Sequence, residues 1–197
     1  MPTEVAMRIK EAAGDRSLLE YVTRLLEHEP DHADLGSRWE RLRREVNATA
    51  ADRERAAHFM ADLSADEPER RASPPGVVLD AGLFAALERR AGWVTEMVDR
   101  WLRDGTGLAT SANVIAQVWH GGTDEQLPTS VVLHHTEVLP LDLPTAKALS
   151  LILGVTGSVD LAGAHLALIA GTRGWPVLTS DADRFEGMHP ALRIGVI

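Results

Sequence analysis

The aspartates at the ends of apolar runs give this chain its clearest chemical potential. Val77-Val78-Leu79 has the pattern of a strand buried on both faces. It ends on Asp80, then Ala81-Gly82, and passes into an apolar helical run, Leu83, Phe84, Ala85, Ala86 and Leu87. Pro176-Val177-Leu178-Thr179 repeats the design and runs into Asp181 and Asp183. An aspartate at the carboxyl end of a parallel strand stands where open α/β sheets gather ligands. Carboxylates at two such ends suggest a divalent-metal site. Further candidate ligands lie on the face carrying Asn113 and Gln117 and at a helix start carrying Asp160 and Gly163. Mg²⁺ or Mn²⁺ is held by a few carboxylates and keeps several waters, and such an ion can activate water and clamp a scissile phosphate. Phosphoryl transfer through an aspartyl nucleophile is the weaker alternative. It usually wants an acid two residues after the first, where this chain has Gly82, and a lysine beyond a later strand. Lys147 sits instead inside an amphipathic helix.

Each candidate also has an ordinary structural role. Asp80 could cap the following helix, Asp160 could be a favourable charge at a helix start, and Asp181 could belong to a turn with Thr179 and Ser180. Asp183 could be solvated, and Gln117 an ordinary hydrogen-bonded side chain. His165 is expected to pack or hydrogen-bond rather than act as a base, and the pair His134-His135 is not expected to hold a transition metal.

At 197 residues the chain has room for one large domain, or a domain with an appendage. It contains no cysteine, which excludes disulfides and thiolate metal sites and is compatible with a reducing cytoplasm. No apolar run reaches membrane-spanning length, and the polar start is not that of a signal peptide. The net charge of −9 argues against a general electrostatic grip on nucleic acid. A metal bridging phosphate to carboxylates would still permit a nucleic-acid substrate.

The elements that must position these acids follow from periodicity. Residues 1–63 read as helical: 4–13 stopped by Gly14, a second helix begun by the capping-box spacing of Ser17 and Glu20, a third with Trp39, Leu42 and Val46 on one face, and a fourth opened by Thr49 and Asp52 and carrying Ala56, Phe59, Met60 and Leu63. Their apolar stripes are narrow, so they are expected to pack on something else. Residues 64–76 are polar and proline-bearing and read as a linker. Residues 77–197 alternate strand and helix, with strands at 77–79, near 108–109, at 137–141, 176–179 and 193–197. Ser111 and Ser158 are expected to cap helices, and Gly174 to follow the end of the second. The fold class is therefore α/β, a parallel sheet of about five strands flanked by helices, preceded by an all-helical segment.

Leu79-Asp80-Ala81-Gly82, Ala116-Gln117-Val118-Trp119, the helix over 157–170 and Leu178-Thr179-Ser180-Asp181-Ala182-Asp183 together resemble a PIN domain, of the variety found in VapC-type ribonuclease toxins of bacterial toxin–antitoxin pairs. The resemblance covers residues 77–197 and rests on the order and spacing of the motifs. It implies a PIN-like fold and a Mg²⁺-dependent endoribonuclease with four acidic positions. Asp80 matches the first and Asp181 the last. The second, usually Glu, is here Gln117. The third falls on Gly163, with Asp160 one helical turn earlier on the same face. The catalytic set implied is Asp80, Gln117, Asp160 and Asp181, and the metal ligands Asp80, Asp160, Asp181 and Asp183. Two lost charges should weaken metal affinity, and an aspartate restored at position 163 is expected to strengthen it.

Residues 4–26 resemble the two helices of a ribbon–helix–helix antitoxin of the VapB kind, and residues 39–63 resemble its toxin-wrapping tail. Such antitoxins begin with a strand that enters the DNA major groove. Only Met1 and Pro2 precede the first helix here, which leaves DNA binding doubtful. The expected partners are an RNA substrate and the antitoxin-like segment, in cis or across a homodimer. A basic residue of the first half is expected to reach the acid pocket and compete with the metal. Two functions follow: a toxin–antitoxin fusion with a weakened or latent ribonuclease, or a catalytically inactive PIN module acting as a dimeric interaction or regulatory protein.

Overall fold

The computed structural model describes residues 32–64, 76–120, 126–189 and 192–197. The two helices expected over 4–26 and most of the expected linker lie outside these residues.

Five strands form one sheet: β1 (Gly76–Leu79), β2 (Gly107–Ser111), β3 (Thr136–Leu139), β4 (Val177–Thr179) and β5 (Ile194–Val196). All neighbours are parallel, in the order β3-β2-β1-β4-β5. The central β1 is buried throughout, as its unbroken apolar run requires. From β1 the chain moves outward to β2 and β3, then returns across the sheet to place β4 on β1's other side. The strand order therefore reverses between β1 and β4, and a crevice opens at their carboxyl ends. Leu79 pairs with Leu178 in register, so Asp80 and Thr179 emerge side by side.

Helices make the crossovers: α3 (Ala81–Glu88) and α4 (Gly92–Asp104) join β1 to β2, α5 (Ala112–Val118) and α6 (Leu127–His134) join β2 to β3, and α7 (Leu143–Thr156) and α8 (Leu161–Arg173) join β3 to β4. A single 3-10 turn (Ala182–Phe185) follows β4. The α8 helix lies across β1, β2 and β4. It ends at Gly174, whose φ of 69° lies in the left-handed region that glycine enters without a Cβ clash. Gly76 belongs to β1 rather than to the linker, and a side chain there would run into the Trp175 ring. Ser64 likewise closes a helix. Among the described residues no single helix is long and apolar enough to cross a membrane.

Before the sheet come α1 (His32–Val46) and α2 (Ala50–Ser64). Thr49 and Asp52 exchange backbone-to-side-chain hydrogen bonds, Thr49 N to Asp52 Oδ2 at 2.8 Å and Asp52 N to Thr49 Oγ1 at 3.2 Å, which is the reciprocal cap expected from their spacing. The narrow stripes find their partners on the second half. Leu35, Trp39 and Leu42 are buried where α1 meets α4 and α6, and α2 lies along α4 with Phe59 edge-on to Trp93. Asp99, buried on α4, accepts Arg43 Nε at 3.0 Å and Arg103 Nη2 at 2.8 Å, with the Trp39 indole N–H at 3.4 Å. The helical segment thus shares one apolar core with the sheet.

Because that core is common, Trp39→Ala should lower the stability of the whole chain by about 3–5 kcal/mol, the usual loss for a buried tryptophan. Denaturant unfolding monitored by tryptophan fluorescence and by circular dichroism should stay coincident. A separate early transition that leaves the sheet intact would show the first helices folding on their own.

Candidate functional site

At the crevice, Asp80 does two things at once. Its backbone is extended, and its Oδ1 accepts from Ala81 N at 2.7 Å, capping α3. Its Oδ2 accepts from Thr179 Oγ1 at 2.7 Å, so β4 supplies a donor across the ladder. The ladder bond from Asp80 N to Leu178 O, 3.0 Å, fixes this proximity. The capping and site interpretations of Asp80 are therefore compatible. Gly82 lets the first turn of α3 approach closely: a Cβ there would meet Ser180 N at 2.9 Å.

Asp160 caps α8, a role expected of Ser158. Its Oδ1 accepts from Gly163 N at 3.0 Å, while Ser158 Oγ accepts from Asp160 N at 3.1 Å. Both residue types cap well, and the tie is broken by whose carboxyl or hydroxyl oxygen reaches an exposed helical N–H. Asp160's other oxygen faces the crevice. There it meets Arg184, a residue not singled out by its sequence context. Arg184 Nε and Nη2 both donate to Asp160 Oδ2, at 2.9 and 2.8 Å, and Nη1 donates to Asp80 Oδ2 at 3.0 Å. One guanidinium ties the two acids together. Burial works against its charge, yet Asp80, Asp160 and Asp181 hold its pKa above the ordinary guanidinium value. The 3-10 turn carries Arg184 to this place, anchored by the buried Phe185.

The other candidates are distributed unequally. Asp181 is exposed at the rim, its backbone N–H on Thr179 Oγ1 at 3.1 Å, and it adds to the negative field at Arg184. Asp183 is exposed and lines an open cavity of about 590 Å³ with Phe185, Glu186 and His189; neither Asp80 nor Asp160 nor Asp181 lines it. Gln117 is exposed on the last turn of α5, and no hydrogen bond among the described residues ties it to the acids. The structure thus unites Asp80 with Asp160, keeps Asp181 nearby, and leaves Asp183 and Gln117 unconnected to the pair. The cation at the acids comes from the second half, whereas Arg43, Arg53 and Arg55 of the first half engage Asp99, Ala48 O and the Trp93 ring.

In this arrangement a guanidinium stands on the carboxylate oxygens that a divalent ion would need. Mg²⁺ would need to lie about 2 Å from carboxylate oxygens, but the inward oxygens of Asp80 and Asp160 are taken by the guanidinium. Among the described residues no group of three or more His, Asp or Glu is placed to hold a metal. A methyl group at position 163 would overlap Asp160 Oδ2 and come within 2.9 Å of its Cγ. The Asp160 carboxylate occupies the space a side chain at 163 would use. An aspartate placed there would require the Asp160 carboxylate to shift.

Behind the acids, Ser111 Oγ lies 2.8 Å from His165 Nδ1 and accepts from Asn113 N at 3.0 Å. Asn113 Nδ2 lies 3.4 Å from the same ring nitrogen, so Ser111 and Asn113 together hold the imidazole in place. Burial pushes the His165 pKa down, and the field of Asp142 opposes this. His165 is a packed, hydrogen-bonded ring, as expected.

Two outcomes follow from these contacts. Gly154, on α7 with open space around it, should give the usual Gly-to-Ala helix gain of about 0.5–1 kcal/mol. Gly163→Ala should lack that gain, because it disrupts the Asp160 cap, a contribution of about 1 kcal/mol; equal gains in thermal denaturation would place Asp160 elsewhere. The second concerns pH. The folded state holds His165 below its ordinary pKa, so the unfolded chain takes up the proton first as pH falls. Stability should be full above the ordinary imidazole range and decline as pH drops through it. His165→Asn, with His135 left in place, should flatten that decline in melting curves taken between neutral and mildly acid pH.

No family model and no curated protein matches this chain.

Proposed function

We propose that this chain is a toxin–antitoxin fusion of the VapB–VapC kind, in which a PIN-type endoribonuclease unit is joined to antitoxin-like helices and its acid site is held latent. The observation that carries this reading is the meeting of Asp80 and Asp160 at the carboxyl edge of a doubly wound parallel sheet, with Asp181 at the rim. That is the place where open α/β sheets bind ligands, and its charge suits a cation-assisted attack on phosphate better than a direct grip on it. The packing of α1 and α2 over α4 and α6 supports the antitoxin-like role of the first half. The substrate class is RNA, the compartment the cytoplasm, and the ion the resemblance calls for is Mg²⁺ or Mn²⁺. The Arg184 guanidinium engages the carboxylate oxygens that such an ion would use.

One observation favours a second reading. Arg184 satisfies both acids and Gly163 provides no third, as expected of an inactive module kept for interaction. Incubating the purified full chain with labelled RNA separates the two. The latent-enzyme reading expects slow cleavage that requires Mn²⁺ or Mg²⁺ and disappears in Asp80→Asn, with folding checked by circular dichroism. Cleavage that survives in Asp80→Asn would exclude this site as its source, and the absence of cleavage by the native chain at every metal concentration would favour the inactive module.

A further inference from the structure

We propose that Arg184 is the resident cation of the Asp80–Asp160 pocket, a side chain that excludes a divalent ion from these carboxylates, and that Gly163 is what lets Asp160 reach it. The geometry is that of a built cradle. Three N–H groups of one planar guanidinium engage two carboxylates that lie 80 positions apart in the chain, a span a lysine ammonium would bridge less well. Asp80 is almost wholly buried, so its charge needs a fixed partner. The partner is tethered three residues beyond Asp181 on a short turn, at an effective concentration of roughly millimolar or more. An ion arriving from solution must compete with it. Gly163 completes the device. With no Cβ there, the Asp160 carboxylate folds back over the helix start, one oxygen capping Gly163 N and the other facing Arg184. A side chain at 163 would push Asp160 off this path and loosen its hold on Arg184. Inhibition of the site, on this account, is supplied by the α/β unit itself and does not require a basic residue of the first half.

This inference rests on the ribonuclease reading only in taking the pocket as the place for the ion, and one experiment separates their failures. Mn²⁺ binding to the full chain is measured by loss of the free-ion paramagnetic resonance signal, and melting temperature is measured with and without Mn²⁺. The native chain is expected to bind Mn²⁺ weakly and to melt at the same temperature with or without it. Arg184→Gln should bind the ion at least about tenfold more tightly, melt lower than the native chain, and regain part of that loss on adding Mn²⁺, since a ligand selective for the folded state stabilises it by an amount that rises with the logarithm of its concentration over Kd. Adding Asp160→Asn to Arg184→Gln should abolish the gain. Arg184→Lys, which keeps the charge and loses the fork, should lie between, and serves as the test if the glutamine variant does not fold. Equal Mn²⁺ affinity in the native chain and both variants would overturn the exclusion by Arg184 and leave the ribonuclease reading standing. No Mn²⁺ binding by either variant would show that the pocket is not a cation site, and both would fall.

Discussion

Asp80 imposes a strict requirement on this molecule. Its carboxylate is almost completely removed from water, at the end of a strand buried on both faces. Burying an ionised carboxylate costs several kcal/mol unless donors replace the lost water. Three do so: the Ala81 amide, the Thr179 hydroxyl and the Arg184 guanidinium. Each comes from a different structural decision. The amide requires a helix to start directly after β1. The hydroxyl requires β4 to pair with β1 in a register that brings Thr179 level with Asp80. The guanidinium requires the chain after β4 to turn at once, with Phe185 pinned in the core so that its neighbour points back into the crevice. The sheet order that places β4 against β1 is therefore also what makes a charged Asp80 tolerable.

The same reasoning explains which features could be read from sequence. Strand β1 and helices α3 and α8 announce themselves because their burial patterns are local. Asp80 and Asp160 stand out for the same reason, one at a strand end and one at a helix start. Arg184 does not. Its neighbours in sequence, Asp181, Asp183 and Glu186, make it look like an ordinary solvated charge, while its true partners lie 104 and 24 positions away. Only the sheet order brings them together. Gln117 stands apart from the Asp80–Asp160 pair: the rotation of α5, set by its packing on α3 and α8, leaves its side chain in solvent. The exchange of Ser158 for Asp160 as the cap of α8 belongs to a third kind, in which two competent residue types stand two positions apart and backbone geometry selects one.

The first half is governed by a comparable polar anchor. Asp99 is buried where α1 crosses α4, and two arginines and an indole N–H surround it. Apolar contact alone would let a helix with a three-residue stripe slide or rotate on its neighbour. A buried carboxylate with directional partners on both helices penalises those alternatives and holds α1 in one register, the use for which buried ionic groups are best attested. The contacts of Trp39 and Leu42 then add to a fixed arrangement. Narrow stripes, read in isolation as signs of an absent partner, are sufficient once the second half supplies both the apolar surface and the anchor.

Charge balance connects the anchor at Asp80 to the small residue at position 163. Two carboxylates facing one guanidinium leave the pocket with one negative charge in excess, and Asp181 at the rim makes it more negative still. A third inward acid would raise that excess in a place where Asp80 has almost no access to water. A divalent ion would relieve it; one guanidinium would not. With glycine at 163, no third acid is present, the space is filled by Asp160's own carboxylate, and a single positive side chain suffices. Gly163, Asp160 and Arg184 therefore form one coupled unit, and their individual contributions are not expected to add. Whether such a pocket holds an arginine or a metal is decided by how many carboxylates the helix start directs inward, and in this chain the count favours the arginine.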